Sequence, residues 1–301
     1  MIYSETRLKK SPKINLITIQ KRISKICRKN YGEQIIAMKT NIIYNSSSEN
    51  MFQIDDKSVN LVVTSPPYNI DIKYGNKTSK GQILRSKGVK YKDNLDEDTY
   101  RHLLKTVFDE CKKKLTDNGS MWINIKNRVN DGVVIPPFWI MDFFEDMYLK
   151  NIIIWNFDWG GSTNKRFAPR YEYVFWFVKN KKNYTFNLDD IKIPALNYRP
   201  DRYKSQLKNP TDVWRISMVS GNFEERTEHP AQYPEKLVER IILGSTNEND
   251  IVLDPFMGSG TTAVVAKKLN RQYLGYEIVP EYCEIAKKRL SKVGANNGAE
   301  N

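Results

Sequence analysis

The run Val59–Thr64 (VNLVVT) is apolar on both faces, and it stops at Ser65-Pro66-Pro67-Tyr68-Asn69. One proline is enough to end a strand. Two in succession fix φ twice and remove two N–H donors. What remains is a stiff turn that presents acceptors, the Ser65 hydroxyl and the Pro66 carbonyl. Two acceptors in a fixed frame suit an exocyclic amine on an aromatic base. The lone pair of such an amine is delocalised into the ring, and hydrogen bonds that draw both N–H groups out of the ring plane free it for attack. Tyr68 offers a ring on which the base can stack, worth roughly 1–3 kcal/mol. Asn69 is placed to support the turn.

A second stretch lies far along the chain, at Asp254-Pro255-Phe256-Met257-Gly258-Ser259-Gly260-Thr261. A strand ends at Asp254, a glycine turn follows, a small-residue helix starts at Thr261, and the next strand ends on Glu277. Glycines let a ligand approach the backbone, and a helix N-terminus offers free N–H groups. An acid at the following strand end can accept both hydrogen bonds of a ribose diol. The spacing Gly258-x-Gly260-x-x-Ala263 also fits the dinucleotide fingerprint, so these residues alone suit either NAD or S-adenosylmethionine. No Lys-Ser/Thr pair follows the second glycine, which excludes a P-loop. The candidate cofactor contacts are Phe256, Gly258, Ser259, Gly260, Thr261 and Glu277, with Asp254 as a contact or a brace.

Both motifs need a scaffold that brings strand ends together. Apolar runs predict strands at 42–45, 59–64, 120–125, 151–157, 171–178, 250–254 and 272–277, several of them β-branched or aromatic on both faces. Helical patterns fit 96–116, 137–149, 234–244, 260–269 and 281–291. This alternation predicts an α/β fold with a mostly parallel sheet covered on both sides. Ligands bind such sheets at the strand C-termini, where both motifs fall. No helix separates 151–157 from 171–178, so that pair is expected to be antiparallel. Residues 185–228 show no period and read as an irregular insert.

Charge supplies the partner. The chain has 301 residues, with 48 Lys+Arg against 35 Asp+Glu, a net +13. Such a balance favours an anionic partner, nucleic acid or a membrane surface. No apolar run approaches a membrane span and no signal-like stretch opens the chain, which points to a soluble, cytoplasmic protein without a membrane partner. Residues 1–40 hold ten Lys/Arg and two acids, and residues 72–92 hold seven Lys/Arg and no acid. The second block leaves directly from the proline turn, and its Lys73, Lys77, Lys80 and Arg85 are candidate phosphate contacts. Cys27, Cys111, Cys283, His102 and His229 have no zinc-ligand spacing, so no metal is expected.

Together the two motifs resemble the amino-methyltransferases of DNA. Their catalytic motif is (Asp/Asn/Ser)-Pro-Pro-(Tyr/Phe), and DPFMGSGTT looks like their S-adenosylmethionine loop. The catalytic motif comes first, which is the order of the circularly permuted beta class found in restriction-modification systems. The likeness extends over roughly 41–291. GSMWINI, RYEYVFWFVKN and HPAQYPEKLVERII match the family's intervening segments, and NPTDVWRI within the insert is also similar. The resemblance implies a Rossmann-like, doubly wound, mostly parallel seven-stranded sheet with an antiparallel edge strand. It also implies a catalytic half (41–184), a target-recognition insert (185–228) and a cofactor-binding half (229–291); outside the likeness, charge marks a basic extension (1–40), and small, polar composition a disordered tail (292–301).

Further implications follow from the family. S-adenosylmethionine is the cofactor, double-stranded DNA the substrate, and a separate cognate restriction endonuclease and a homodimer are both compatible partners. Ser65 at the first motif position goes with cytosine-N4 and Asp with adenine-N6, so cytosine-N4 is favoured and adenine-N6 is the alternative. Ring-carbon methylation would need a cysteine following a proline, and none of the three does. One departure stands out. Where the family carries Gly-Asp to contact the cofactor adenine, this chain reads Tyr44-Asn45-Ser46, leaving Asn45 as the weaker candidate. An oxidoreductase would leave Ser-Pro-Pro-Tyr and the charge unexplained. A purely nucleic-acid-binding protein would leave the cofactor loop unexplained.

Overall fold

The computed structural model describes residues 38–70, 93–162, 164–195, 206–220 and 223–294. The chain divides between Met38 and Lys39, and the fold below is that of the second unit. Lys73, Lys77, Lys80 and Arg85, most of the 1–40 extension and most of the 292–301 tail lie outside the described residues.

The fold opens with β1 (Ile42–Tyr44) and β2 (Val59–Thr64), then α1 (Glu97–Lys114) and β3 (Leu115–Ile125). A small hairpin of β4 (Arg128–Asn130) and β5 (Val133–Ile135) precedes β6 (Tyr148–Asn156) and β7 (Tyr171–Val178). The insert forms a second hairpin, β8 (Ile193–Pro194) with β9 (Leu207–Lys208), and then β10 (Val213–Arg215). The remaining elements are α2 (Glu235–Ser245), β11 (Ile251–Asp254), α3 (Thr261–Lys268), β12 (Gln272–Tyr276) and α4 (Pro280–Lys292).

Eight strands form one sheet in the order β1-β12-β11-β2-β3-β7-β6-β10. β1, β12, β11, β2 and β3 pair in parallel. β7 is antiparallel to both neighbours, and β6 pairs in parallel with β10. All seven expected strands are present, and the 151–157/171–178 segments pair antiparallel as expected. The reversed strand, β7, lies inside the sheet. The edge beyond β6 is covered by β10, an eighth strand supplied by the insert.

Side-chain period explains each layer. β2 is buried almost throughout, as a central parallel strand should be. Leu61 and Val63 point to the face covered by α2 and α3, where Leu237, Val238, Ile241, Val264 and Val265 complete the core. On the other face α1 buries Tyr100, Leu104, Val107, Phe108 and Cys111, a helical stripe. Asp96 caps α1 by accepting from the Thr99 N–H at 3.0 Å, and Lys112, Lys113 and Lys114 sit in its last turn.

The insert is anchored by tryptophans. Trp122 and Trp176 stack at 4.8 Å, Trp214 of β10 packs on Trp122 at 6.0 Å, and the Trp155 indole donates to the Ile216 carbonyl at 2.8 Å. The helix expected over 137–149 is instead a 3₁₀ segment, Pro137–Phe144, followed by β6. The segment is crowded with aromatics, which form α-helix poorly. Phe144 stacks on Phe177 at 4.3 Å, and Tyr148 is already paired with Val178 in the sheet. Among the described residues no helix is long and apolar enough to cross a membrane.

Candidate active site

Parallel pairing places the ends of β2, β11, β12 and β1 on one edge of the sheet, and the reversed direction of β7 brings its first residues there too. A cavity of about 260 Å³ opens on this edge. Ser65, Pro66, Pro67 and Tyr68 line one side, and Phe256, Gly258 and Glu277 line another. The two motifs, separated by most of the chain, face one space.

The proline turn is held from below. The Tyr100 hydroxyl donates to the Pro67 carbonyl at 2.8 Å. Asn69, with φ of 55°, exchanges two hydrogen bonds with the Leu95 backbone, donating through Nδ2 at 2.8 Å and accepting through Oδ1 at 2.7 Å. The Asp93 carboxylate accepts from the Asn69 and Ile70 N–H groups. These bonds hold Asn69 and Ile70 against Asp93 and Leu95.

The Ser65 and Tyr68 hydroxyls lie 2.8 Å apart. The Tyr68 hydroxyl donates to Glu172 Oε2 at 2.8 Å, and the Asn124 amide donates to Glu172 at 2.7 Å and to the Tyr68 oxygen at 2.8 Å. Glu172 and Asn124 are buried on β7 and β3. Burial, and then the Glu172 charge, push the Tyr68 phenol well above its ordinary range. The Lys126 ammonium stands 5.0 Å from the Tyr68 ring centroid. The sequence reading missed this polar cluster.

On the cofactor side, Glu277 Oε2 accepts from the Gly258 N–H and Oε1 from the Val279 N–H, both at 2.8 Å. Burial raises its pKa, against the pull of those N–H donors. Gly258 has φ of 52°, and a Cβ there would stand 3.0 Å from His229 Nε2. This bare backbone and the buried acid make a cradle that fits an adenosyl group bearing a ribose diol. His229 packs edge-on against Tyr282 at 4.4 Å. Its Nδ1 accepts from the Ala231 N–H, so in the neutral ring Nε2 carries the proton. Burial, helped by the Arg289 charge, lowers its pKa to about 4.

Five expected cofactor contacts do not line this cavity. Asp254 is fully buried: Oδ1 accepts from Thr64 Oγ1 at 2.7 Å and the Phe256 N–H at 3.0 Å, and Oδ2 from Thr262 Oγ1 at 2.6 Å and Tyr233 Oη at 3.0 Å. It braces the loop. The Ser259 carbonyl and the Thr261 hydroxyl accept from Arg289. Gly260, φ 81°, lets α3 approach α4, since a Cβ there would stand 2.6 Å from the Ala286 Cβ. Asn45 donates its amide to the Glu277 carbonyl at 2.8 Å, clipping β1 to the end of β12. Ser46, Ser47, Ser48 and Glu49 take its place on the wall.

Comparison with known proteins agrees with this geometry. A family model described as DNA methylase matches residues 59–288. The chain belongs to the DNA methylase family. It is 41% identical over 266 residues to the type II methyltransferase M.BglII of Bacillus subtilis, covering 83% of this chain and 69% of that one. It is 35% identical to the DNA adenine methyltransferase YhdJ of Escherichia coli (strain K12), covering 86% and 85%. Among solved structures, PvuII DNA methyltransferase (cytosine-N4-specific) shares the fold at a TM-score of 0.62 and 21% identity, covering 84% of this chain and 87% of that one. The M1.HpyAVI–SAM complex aligns at 0.54 and 28% identity, covering 82% and 98%. This DNA methylase therefore takes S-adenosylmethionine as its cofactor, and its fold is the Rossmann-like methyltransferase sheet in permuted order.

Proposed function

We propose that this DNA methylase transfers the methyl group of S-adenosylmethionine to the exocyclic amine of a base taken out of duplex DNA, and that this amine is cytosine N4. The observation that carries the proposal is the shared cavity, with Ser65 and Pro66 on one wall and Gly258 and Glu277 on another. An amine inside a duplex cannot reach such a recess, so the base must leave the stack.

The residues divide the work. Ser65 Oγ and the Pro66 carbonyl accept the two amine hydrogens and draw the nitrogen lone pair out of the ring. Tyr68 flanks the base. Glu277 holds the ribose and Phe256 and Gly258 pack on the adenosyl part. When bound, S-adenosylmethionine supplies a methyl already activated by its sulfonium, so the protein's share is positioning and charge.

Ser65 at the first motif position supports cytosine. A second reading, adenine N6, is supported by the 35% identity to YhdJ, a DNA adenine methyltransferase. Both amines fit the same pair of acceptors. On the DNA side, the insert 185–228 is proposed to read sequence, while Lys73, Lys77, Lys80 and Arg85 contact phosphates. The β6–β7 loop, with exposed Trp159 and Phe167 beside Arg166, adds a further face on the catalytic edge. A separate cognate nuclease and a homodimer belong to the same proposal.

Mass analysis of nucleosides from DNA treated with enzyme and labelled cofactor separates the readings. N4-methylcytosine is the expected product, N6-methyladenine supports the second reading, and no methylated amine overturns both. Ser65→Ala should lower the rate constant about a hundred- to a thousandfold, the cost of one lost transition-state hydrogen bond, with cofactor affinity unchanged. A variant at the parent's rate would remove Ser65 from the catalytic role.

A further inference from the structure

A serine hydroxyl at a nucleophile is ambiguous, because it can donate a hydrogen bond as readily as accept one. A Ser65 hydroxyl that donated to the amine would engage the lone pair needed for attack. A carboxylate at this position would be acceptor-only. Ser65 needs its direction set by something else.

Hydrogen-bond counting around Tyr68 sets it. The Asn124 Nδ2 is donor-only and reaches both Glu172 Oε2 and Tyr68 Oη. The opposite amide orientation would press Oδ1 against the Glu172 carboxylate. Glu172 Oε2 thus accepts from Asn124 and from the Tyr68 hydroxyl. With its proton committed to Glu172, Tyr68 Oη can only accept from Ser65 across the 2.8 Å between them. The Ser65 proton therefore points at Tyr68 and away from the cavity. Its lone pairs remain for the substrate, apart from a long 3.4 Å approach by Asn124. The raised Tyr68 pKa keeps that phenolic proton in place.

We infer that Glu172, acting through Tyr68, is the positioning residue that turns Ser65 into an obligate acceptor for the amine. Asn124 completes the arrangement by donating to the same two oxygens, Tyr68 Oη and Glu172 Oε2. The carboxylate that the catalytic motif lacks at its first position is supplied from β7, two hydrogen bonds away. This inference rests on the proposed role of Ser65, and goes beyond it by assigning work to Tyr68 Oη, Asn124 and Glu172.

The chain acts as a unit, so its members should fail together. Glu172→Gln keeps the size but allows the side chain to present an N–H₂ to Tyr68, which lets the Tyr68 and Ser65 hydroxyls reverse. Tyr68→Phe keeps the ring and deletes the link. The assay is single-turnover methylation of a target duplex at saturating cofactor, with cofactor and DNA affinities measured separately. Each single variant should lower the rate constant by about ten- to a hundredfold, the worth of one charge-assisted hydrogen bond, with both affinities within about twofold of the parent. Glu172→Gln should then cost nothing further in the Tyr68→Phe background, nor in the Ser65→Ala background.

Independent, multiplying losses in those double variants would overturn the inference, as would parent rates in both single variants. A loss of rate matched by lost affinity would show that Glu172 only maintains the fold. If Ser65→Ala itself methylates at the parent's rate, the reading of the catalytic motif fails first. A slow Ser65→Ala beside an unimpaired Glu172→Gln leaves that reading standing and removes only the relay.

Discussion

Asp254 separates a brace from a ligand most sharply. Its carboxylate accepts four hydrogen bonds with no solvent exposure, so Asp254→Ala strands four donors in the interior. The hydroxyls of Tyr233 and Thr262 already touch, so one of them can donate to the other. The Phe256 N–H has no such alternative. Bonds to a charged acceptor are worth about 1.5–3 kcal/mol each, and part of that total is offset because the buried carboxylate no longer has to be kept from water. The burial that raises the Asp254 pKa reports this cost. A net loss of about 3–5 kcal/mol follows, comparable with other broken buried networks. For a unit of this size that is a fall in Tm of about 10 °C. Asp254→Asn keeps one acceptor oxygen for Thr64 and Phe256, and its amide can donate to the two hydroxyls, so it should cost about 1–2 kcal/mol. Scanning calorimetry measures both, and titration calorimetry with S-adenosylmethionine runs alongside. An alanine variant that melts with the parent yet loses cofactor affinity would refute the brace and return Asp254 to the cofactor site.

Three other perturbations test separate parts of the site. Glu277→Ala should weaken S-adenosylmethionine about a hundredfold, two ribose hydrogen bonds to a charged group, while turnover at saturating cofactor stays near the parent's; an unchanged Kd moves the ribose-binding role elsewhere. His229 is held neutral to about pH 4, whereas an unfolded histidine protonates near 6.5. The unfolded chain then binds the extra proton between those values, so stability should fall as pH drops from 6.5 to 4, by at most about 3 kcal/mol. Denaturant titrations of parent and His229→Gln across that window should differ in slope, and parallel curves would mean His229 is not held neutral. Neutralising Lys73, Lys77, Lys80 and Arg85 together should make the log–log salt dependence of DNA binding shallower by about 0.9 for each phosphate that is no longer paired with a cation, without changing the target base. The parent's slope in that variant would leave other surfaces to bind the backbone.

Much of the architecture was legible because burial on both faces writes a strong pattern. VNLVVT and YEYVFWFV could be little else than interior strands, and their boundaries stand within the observed elements. The misses have local causes. Pro137–Phe144 carries a helix-like apolar pattern, but its packing against β7 and the early start of β6 favour a tighter turn. β10 is three residues long and is made by tryptophan packing across the sheet, a long-range effect with no periodic signature. Of the cofactor motif, Phe256, Gly258 and Glu277 line the cavity. The remainder of that motif is about loop closure: Ser259 and Thr261 face Arg289, and Gly260 faces α4. A glycine required by helix packing and one required by a ligand look the same in a sequence.

The Glu172–Asn124 cluster did leave a trace. An acid at the second position of YEYVFWFV and an amide within MWINI interrupt runs that are otherwise apolar or aromatic. Burying a carboxylate is expensive unless it is paired and hydrogen-bonded, so a lone acid in such a strand implies partners on neighbouring strands. Which partners is a question of register and direction. β7 runs against β3, with Asn124 opposite Val174 and Ile125 opposite Tyr173, and this pairing carries the start of β7 to the end of the sheet where β2 delivers Ser65. Had β7 run parallel, Glu172 would lie at the far end, and a serine at the catalytic turn would have no carboxylate to orient it. The reversed strand is therefore part of the chemistry as well as of the fold.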